Sequence, residues 1–153
     1  MLRTFLFSIL LGALSLNFTA QSNVNWSFSY EKIEGEKDTY YLVFHADIGK
    51  RWHMYAVHLP DENAGPLPTT FTFTENNNIE IIGEIEEEND KVHTEMDEAF
   101  GVEVSYFEGK VVFKQKVKLK TNSTTVKGFV SFMVCDNSMC LPPEDVEFSI
   151  EVK

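Results

Sequence analysis

The sequence predicts an all-β chain, an immunoglobulin-like antiparallel β-sandwich, on three observations. Apolar residues recur with period two in short runs from Trp26 onward, the signature of strands with one buried face. Turn-forming residues separate those runs at the spacing of a sandwich. No stretch beyond residue 20 keeps a helical period over ten or more residues.

Met1 to Ala20 stands apart. It carries one positive charge at Arg3, an apolar run from Phe5 to Leu16 and a small residue at Ala20. This is the pattern of a secretory signal peptide, and no later stretch approaches the roughly 20 apolar residues of a spanning helix. No cysteine lies near Ala20, which argues against lipid attachment. The expected organisation is a signal peptide, 1–20, and one β-domain, 21–153, exported and not inserted in the membrane once the signal is cut.

The strands follow in order. Trp26-Ser27-Phe28-Ser29-Tyr30 alternates, and Gly35 with Asp38 marks a turn. Thr39 to Ala46 is apolar on both faces and should be a central strand. Trp52 to Val57 comes next, then a loop with Pro60, Gly65, Pro66 and Pro68, the strand Thr69 to Thr74, an asparagine turn at residues 76–78 and the strand Ile79 to Ile85. An acidic stretch, Glu84 to Asp90 and on to Glu98, reads as a solvated edge and loop. Glu103 to Phe107 and Val111 to Leu119 are strands around a Glu108-Gly109 turn. Val126 to Val134 and Val146 to Val152 alternate as the last two, for eight or nine strands in all.

Charge narrows the partners. Without residues 1–20, 12 basic residues face 24 acidic ones, a net charge of −12. Nucleic acid and anionic membranes are therefore poor partners. No Ser-His-Asp arrangement, phosphate loop or zinc spacing is visible, and neither a cofactor nor a resident metal is expected.

Cys135 and Cys140, the only cysteines, sit between the last two strands in Cys135-Asp136-Asn137-Ser138-Met139-Cys140-Leu141-Pro142-Pro143. In an oxidising compartment such a pair forms a disulfide. As a staple it is inefficient: loop entropy gives so short a ring only about 2 kcal/mol, against roughly 4 to 5 for a ring of a hundred residues. A bridge at the tip of two adjacent strands, placed where an attacking thiolate can reach it, suits exchange better.

The residues Gly128 to Cys135, Cys140-Leu141-Pro142-Pro143 and Val146-Glu147-Phe148 resemble the N-terminal periplasmic domain of the DsbD thiol:disulfide interchange proteins, and the similarity extends over most of the chain after residue 20. That resemblance implies an immunoglobulin-like domain whose dithiol passes electrons between thioredoxin-like partners. By motif, Cys140 forms the mixed disulfides and Cys135 resolves them. His53 and Tyr55 stand where the family has two tyrosines beside the active site. Asp97-Glu98-Ala99-Phe100-Gly101 resembles the cap loop, with Ala99 in place of the shielding aromatic and Phe100 expected to take over its role; Met139 completes the shell. Carboxylates of Asp97 and Glu98 near a sulfur would disfavour the thiolate. The spacing is one residue shorter than in the best-known members. Because the chain ends at Lys153, a stand-alone form is expected, served by a separate membrane-bound electron donor and a periplasmic acceptor.

Two rivals remain at this level. One is an immunoglobulin-like interaction module with a structural disulfide. The other is copper handling by Met133, Cys135, Met139 and Cys140, joined by His53 or Met54.

Overall fold

Eleven strands, all paired antiparallel, form three sheets in the computed structural model, which describes residues 23–61, 63–98 and 100–153. The expected signal peptide and Ala99 lie outside the described residues. The first sheet takes β1 (Val24–Lys32), β2 (Thr39–Ile48), β8 (Lys110–Leu119) and β5 (Ile79–Glu87) in the order β1-β2-β8-β5. The second takes β10 (Val134–Cys135), β3 (His53–Tyr55), β7 (Val102–Phe107) and β6 (His93–Asp97) in the order β10-β3-β7-β6. The third takes β11 (Glu144–Val152), β9 (Thr124–Phe132) and β4 (Thr70–Phe73) in the order β11-β9-β4.

Period two explains the core. On β2, Tyr40, Leu42, Phe44, Ala46 and Ile48 all face one cluster, and the strand lies between β1 and β8 as its apolar character predicts. Phe44 is the hub. Its ring meets Phe71 at 4.8 Å, Phe148 at 5.0 Å and Phe28 at 5.9 Å, so aromatic packing ties the first sheet to the third. Gly128 on β9 is required by a close approach. A Cβ there would sit 2.0 Å from the Thr72 carbonyl oxygen and 2.6 Å from Phe148 Cζ.

Gln115 occupies an inward position on β8 that alternation would fill with an apolar residue. Its Nε2 donates to the carbonyls of Ile82, at 2.9 Å, and Lys116, at 3.1 Å. Ile82 lies where β5 slips register against β8; a buried amide answers a carbonyl that the irregular ladder leaves open.

Three expectations change. The run Val126 to Val134 is not one strand: β9 ends at Phe132 and β10 crosses to the second sheet. β6 lies inside the stretch read as solvated loop. All but one of its residues are exposed, so it lacks the burial contrast that alternation reports. These two additions bring the strands to eleven rather than eight or nine. Within the acidic stretch, Glu87 and Glu88 are half-buried. Their carboxylates accept the backbone N–H groups of Val57, at 2.9 Å, and Val112, at 2.8 Å, a structural role and not only a solvated one.

Candidate functional site

The site is built on the outer face of the second sheet. Cys135 is registered opposite His53, Tyr55 opposite Tyr106, and Tyr106, Val104 and Val102 opposite His93, Glu95 and Asp97. Directly opposed residues share a face and alternate residues repeat it. All nine side chains therefore project to one side. Met54, Phe107 and Val134 project to the other, into the main core. Tyr55, Val104, Met133 and Cys135 form a separate buried cluster on the outer side, flanked by Leu59, Val102 and Tyr106.

The two cysteines are bonded, with Cα atoms 4.0 Å apart, and make an isolated antiparallel bridge. They do not extend the β9–β11 ladder, which stops at Phe132 and Glu144. Cys135 is anchored to β3 instead, so the expected hairpin tip is in fact a crossing between two sheets. Pro142 and Pro143 have no N–H to continue a ladder, and the last bond before them runs from Leu141 N–H to the Val134 carbonyl, 2.9 Å.

Burial separates the two cysteines. Cys135 is 2% exposed, whereas Cys140 is exposed at the mouth of a cleft of about 730 Å³ lined by His53, Tyr55, residues 95–98 and residues 135–140. The Tyr55 hydroxyl donates to Cys135 Sγ at 3.1 Å. Burial, with the neighbouring Asp97 carboxylate, pushes the Tyr55 hydroxyl far above its ordinary value, so it is protonated at neutral pH.

β6 and β7 meet in a tight turn over this cleft. Asp97 closes the turn twice: its carbonyl accepts from Gly101 N–H at 2.7 Å and its Oδ1 from Phe100 N–H at 3.2 Å. Gly101 supplies the positive φ, +70°, that the turn needs. Phe100 is 37% exposed and lies edge-on to Tyr55, ring centroids 6.3 Å apart. Glu98 and Met139 are exposed and line the same cleft.

His53 is half-buried, 4.7 Å from the Tyr106 ring and 5.5 Å from Tyr55, and His93 stacks on Tyr106 at 5.4 Å. Burial lowers the His53 pKa, opposed by the carboxylates of Glu108, Asp97, Glu95 and Asp136. Tyr106 donates to Glu95 at 3.0 Å and is pushed up to about 12 by burial and that carboxylate.

Of the residues singled out from sequence, His53, Tyr55, Asp97, Glu98, Phe100, Met139, Cys135 and Cys140 are brought to one place. His45 and His58 are exposed outside that face. Met54, considered beside His53 as a soft ligand, faces the main core and not the sulfurs. Sequence reasoning missed Tyr106 and Glu95, which the register of β7 and β6 delivers, and the ion pair between Arg51 and Asp136. Asp136 was legible only as a turn residue.

Among the described residues no helix is long and apolar enough to cross a membrane. No curated protein sequence matches the chain. The profile of the family described as "Thiol:disulfide interchange protein DsbD, N-terminal" matches residues 19–151. Solved structures share the fold, among them the following two. One is the N-terminal periplasmic domain of ScsB from Proteus mirabilis, with a TM-score of 0.58 and 12% identity over 90% of this chain and 49% of that one. The chain thus spans about half the length of the ScsB domain. The other is the DsbD N-terminal domain of Neisseria meningitidis in its reduced form, with a TM-score of 0.51 and 16% identity over 82% of this chain and 84% of that one. By the match over residues 19–151, the chain belongs to the family of DsbD N-terminal domains, immunoglobulin-like β-sandwiches of the thiol:disulfide interchange proteins.

Proposed function

We propose that this chain is an exported electron carrier that relays electrons between thioredoxin-like proteins through the Cys135–Cys140 dithiol and disulfide, with residues 1–20 as its signal peptide and the periplasm as its compartment. The observation that carries the reading is the unequal burial of the two cysteines, with Cys140 lining the open cleft. A partner thiolate reaches Cys140 Sγ and not Cys135 Sγ. Its attack forms a mixed disulfide with Cys140, breaks the Cys135–Cys140 bond and expels Cys135 as a thiolate, which then takes up a proton. The partner's second thiolate attacks its own sulfur in the mixed disulfide and releases Cys140. Two electrons and two protons have then moved to this chain, and the partner leaves oxidised. Delivery to an acceptor is the reverse: Cys140 thiolate attacks the acceptor disulfide and Cys135 resolves the adduct.

The chemistry of the cleft supports those roles. The Tyr55 hydroxyl is aimed at the sulfur that must leave, and the Asp97 to Phe100 turn lies beside it as the cap. The membrane-bound donor and the periplasmic acceptor are separate proteins in this reading.

The test uses a purified thioredoxin-like protein whose second active-site cysteine is serine and whose first is activated as a mixed disulfide with thionitrobenzoate, so that an attacking thiolate takes its place and releases thionitrobenzoate. Cys135→Ser should give a stable mixed disulfide through Cys140, and Cys140→Ser should give none. Equal trapping by both variants refutes the assignment of roles. A bridge that stays closed in redox buffers down to about −300 mV refutes exchange itself and leaves an interaction module with an inert disulfide.

A further inference from the structure

We infer that Asp136 and Arg51 are positioning residues for this exchange: together they hold the loop from Cys135 to Cys140 in the conformation that returns the two sulfurs to bonding reach. The inference rests on the proposed function, since positioning matters only if the bond opens.

Asp136 organises the loop from both its backbone and its side chain. Its N–H donates to the Met139 carbonyl at 2.9 Å, and its Oδ1 accepts the N–H groups of Ser138, at 2.8 Å, and Met139, at 2.9 Å. That leaves Oδ2, which is taken by the Arg51 guanidinium. The Asp136 side chain is only 5% exposed, while that of Arg51 is 71% exposed. The carboxylate is therefore covered by the loop and by the guanidinium, which itself faces solvent.

Arg51 lies between β2 and β3, far from the cysteines in sequence. Its φ of +76° is a left-handed conformation that costs a non-glycine residue free energy and persists only where the surroundings hold it. Its guanidinium also lies over the Trp52 ring, 5.6 Å from the centroid. The loop is thus tethered twice to the β3 side, once through the Cys135–His53 register and once through this ion pair.

Tethering sets the equilibrium. A ring this short closes according to how often the reduced loop presents one sulfur to the other, an effective concentration fixed by preorganisation. Loosening the loop lowers it and moves the balance toward the dithiol.

The experiment equilibrates the full chain with glutathione. Protein disulfide and two glutathiones give protein dithiol and one glutathione disulfide, with two electrons and two protons passing to the protein. Asp136→Ala, which removes the two Oδ1 hydrogen bonds and the ion pair, should shift that constant about tenfold toward the dithiol, or about 30 mV, the effect of losing a charged hydrogen-bond acceptor. Asp136→Asn keeps an oxygen for Ser138 and Met139, and Arg51→Ala keeps both Oδ1 hydrogen bonds. Each should shift the constant about threefold in the same direction, the size of an exposed ion pair. Thermal unfolding of each reduced variant is recorded beside it, so that lost stability is not read as lost positioning.

A wild-type constant in Asp136→Ala overturns the inference whatever the unfolding temperature, and so does an Asn variant as impaired as the Ala variant. If Asp136→Ala does not fold, the other two decide: a shift toward the dithiol in both supports positioning, and no shift overturns it. A wild-type bridge that glutathione never opens defeats the proposed function instead, so the two failures are distinguishable.

Discussion

Replacing Tyr55 by phenylalanine deletes one oxygen and leaves the ring, so it isolates what the hydroxyl does for Cys135. That ring is fully buried and packs edge-on against His53 and Phe100, contacts that a phenyl keeps. The hydroxyl has one proton and two acceptors, Cys135 Sγ at 3.1 Å and the Asp97 carboxylate. A disulfide sulfur accepts weakly and a thiolate strongly, so the bond to Cys135 gains most when that sulfur is expelled. Hydrogen bonds to charged groups contribute about 1.5–3 kcal/mol. At about 1.4 kcal/mol per factor of ten, Tyr55→Phe should slow reduction of the bridge about 10- to 100-fold. The assay is stopped-flow reduction by a purified thioredoxin-like dithiol. A rate within about twofold of wild type, in a variant that folds normally, would refute the leaving-group role of Cys135.

Phe100→Ala should leave stability within about 1 kcal/mol, since the ring is partly exposed, yet speed alkylation of the reduced Cys140 about threefold or more; unchanged alkylation would remove Phe100 as a shield. His53 has a folded pKa below its ordinary 6.5, so the unfolded chain binds its proton first. Its contribution is then intact above about pH 6.5 and lost as pH falls from there to the folded pKa; His53→Gln should flatten that limb of a denaturation series, and an unaltered limb would contradict the burial argument. Gly128→Ala should cost about 3 kcal/mol or more and lower Tm by about 10 °C, because the nearest obstacle is the Thr72 backbone; a wild-type Tm would mean that β4 yields freely.

The β class, the strands with strong burial contrast and the dithiol are all legible in the order of residues alone. Phe44, Val126, Phe148 and Val152 announce their faces because alternation is a direct record of burial, and two isolated cysteines can only pair with each other within one chain. The resemblance supplied which residues to look for around them. Which sheet Cys135 joins, that β6 exists, that Gln115 serves an irregular strand and that Arg51 reaches Asp136 emerge only when the strands pair in space. Periodicity says that a residue is buried and not what buries it. β6 buries almost nothing, the switch of sheets at Met133 leaves the alternation of β9 and β10 unbroken, and the Arg51–Asp136 contact spans 85 residues, so each was set by pairing between segments that share no local pattern.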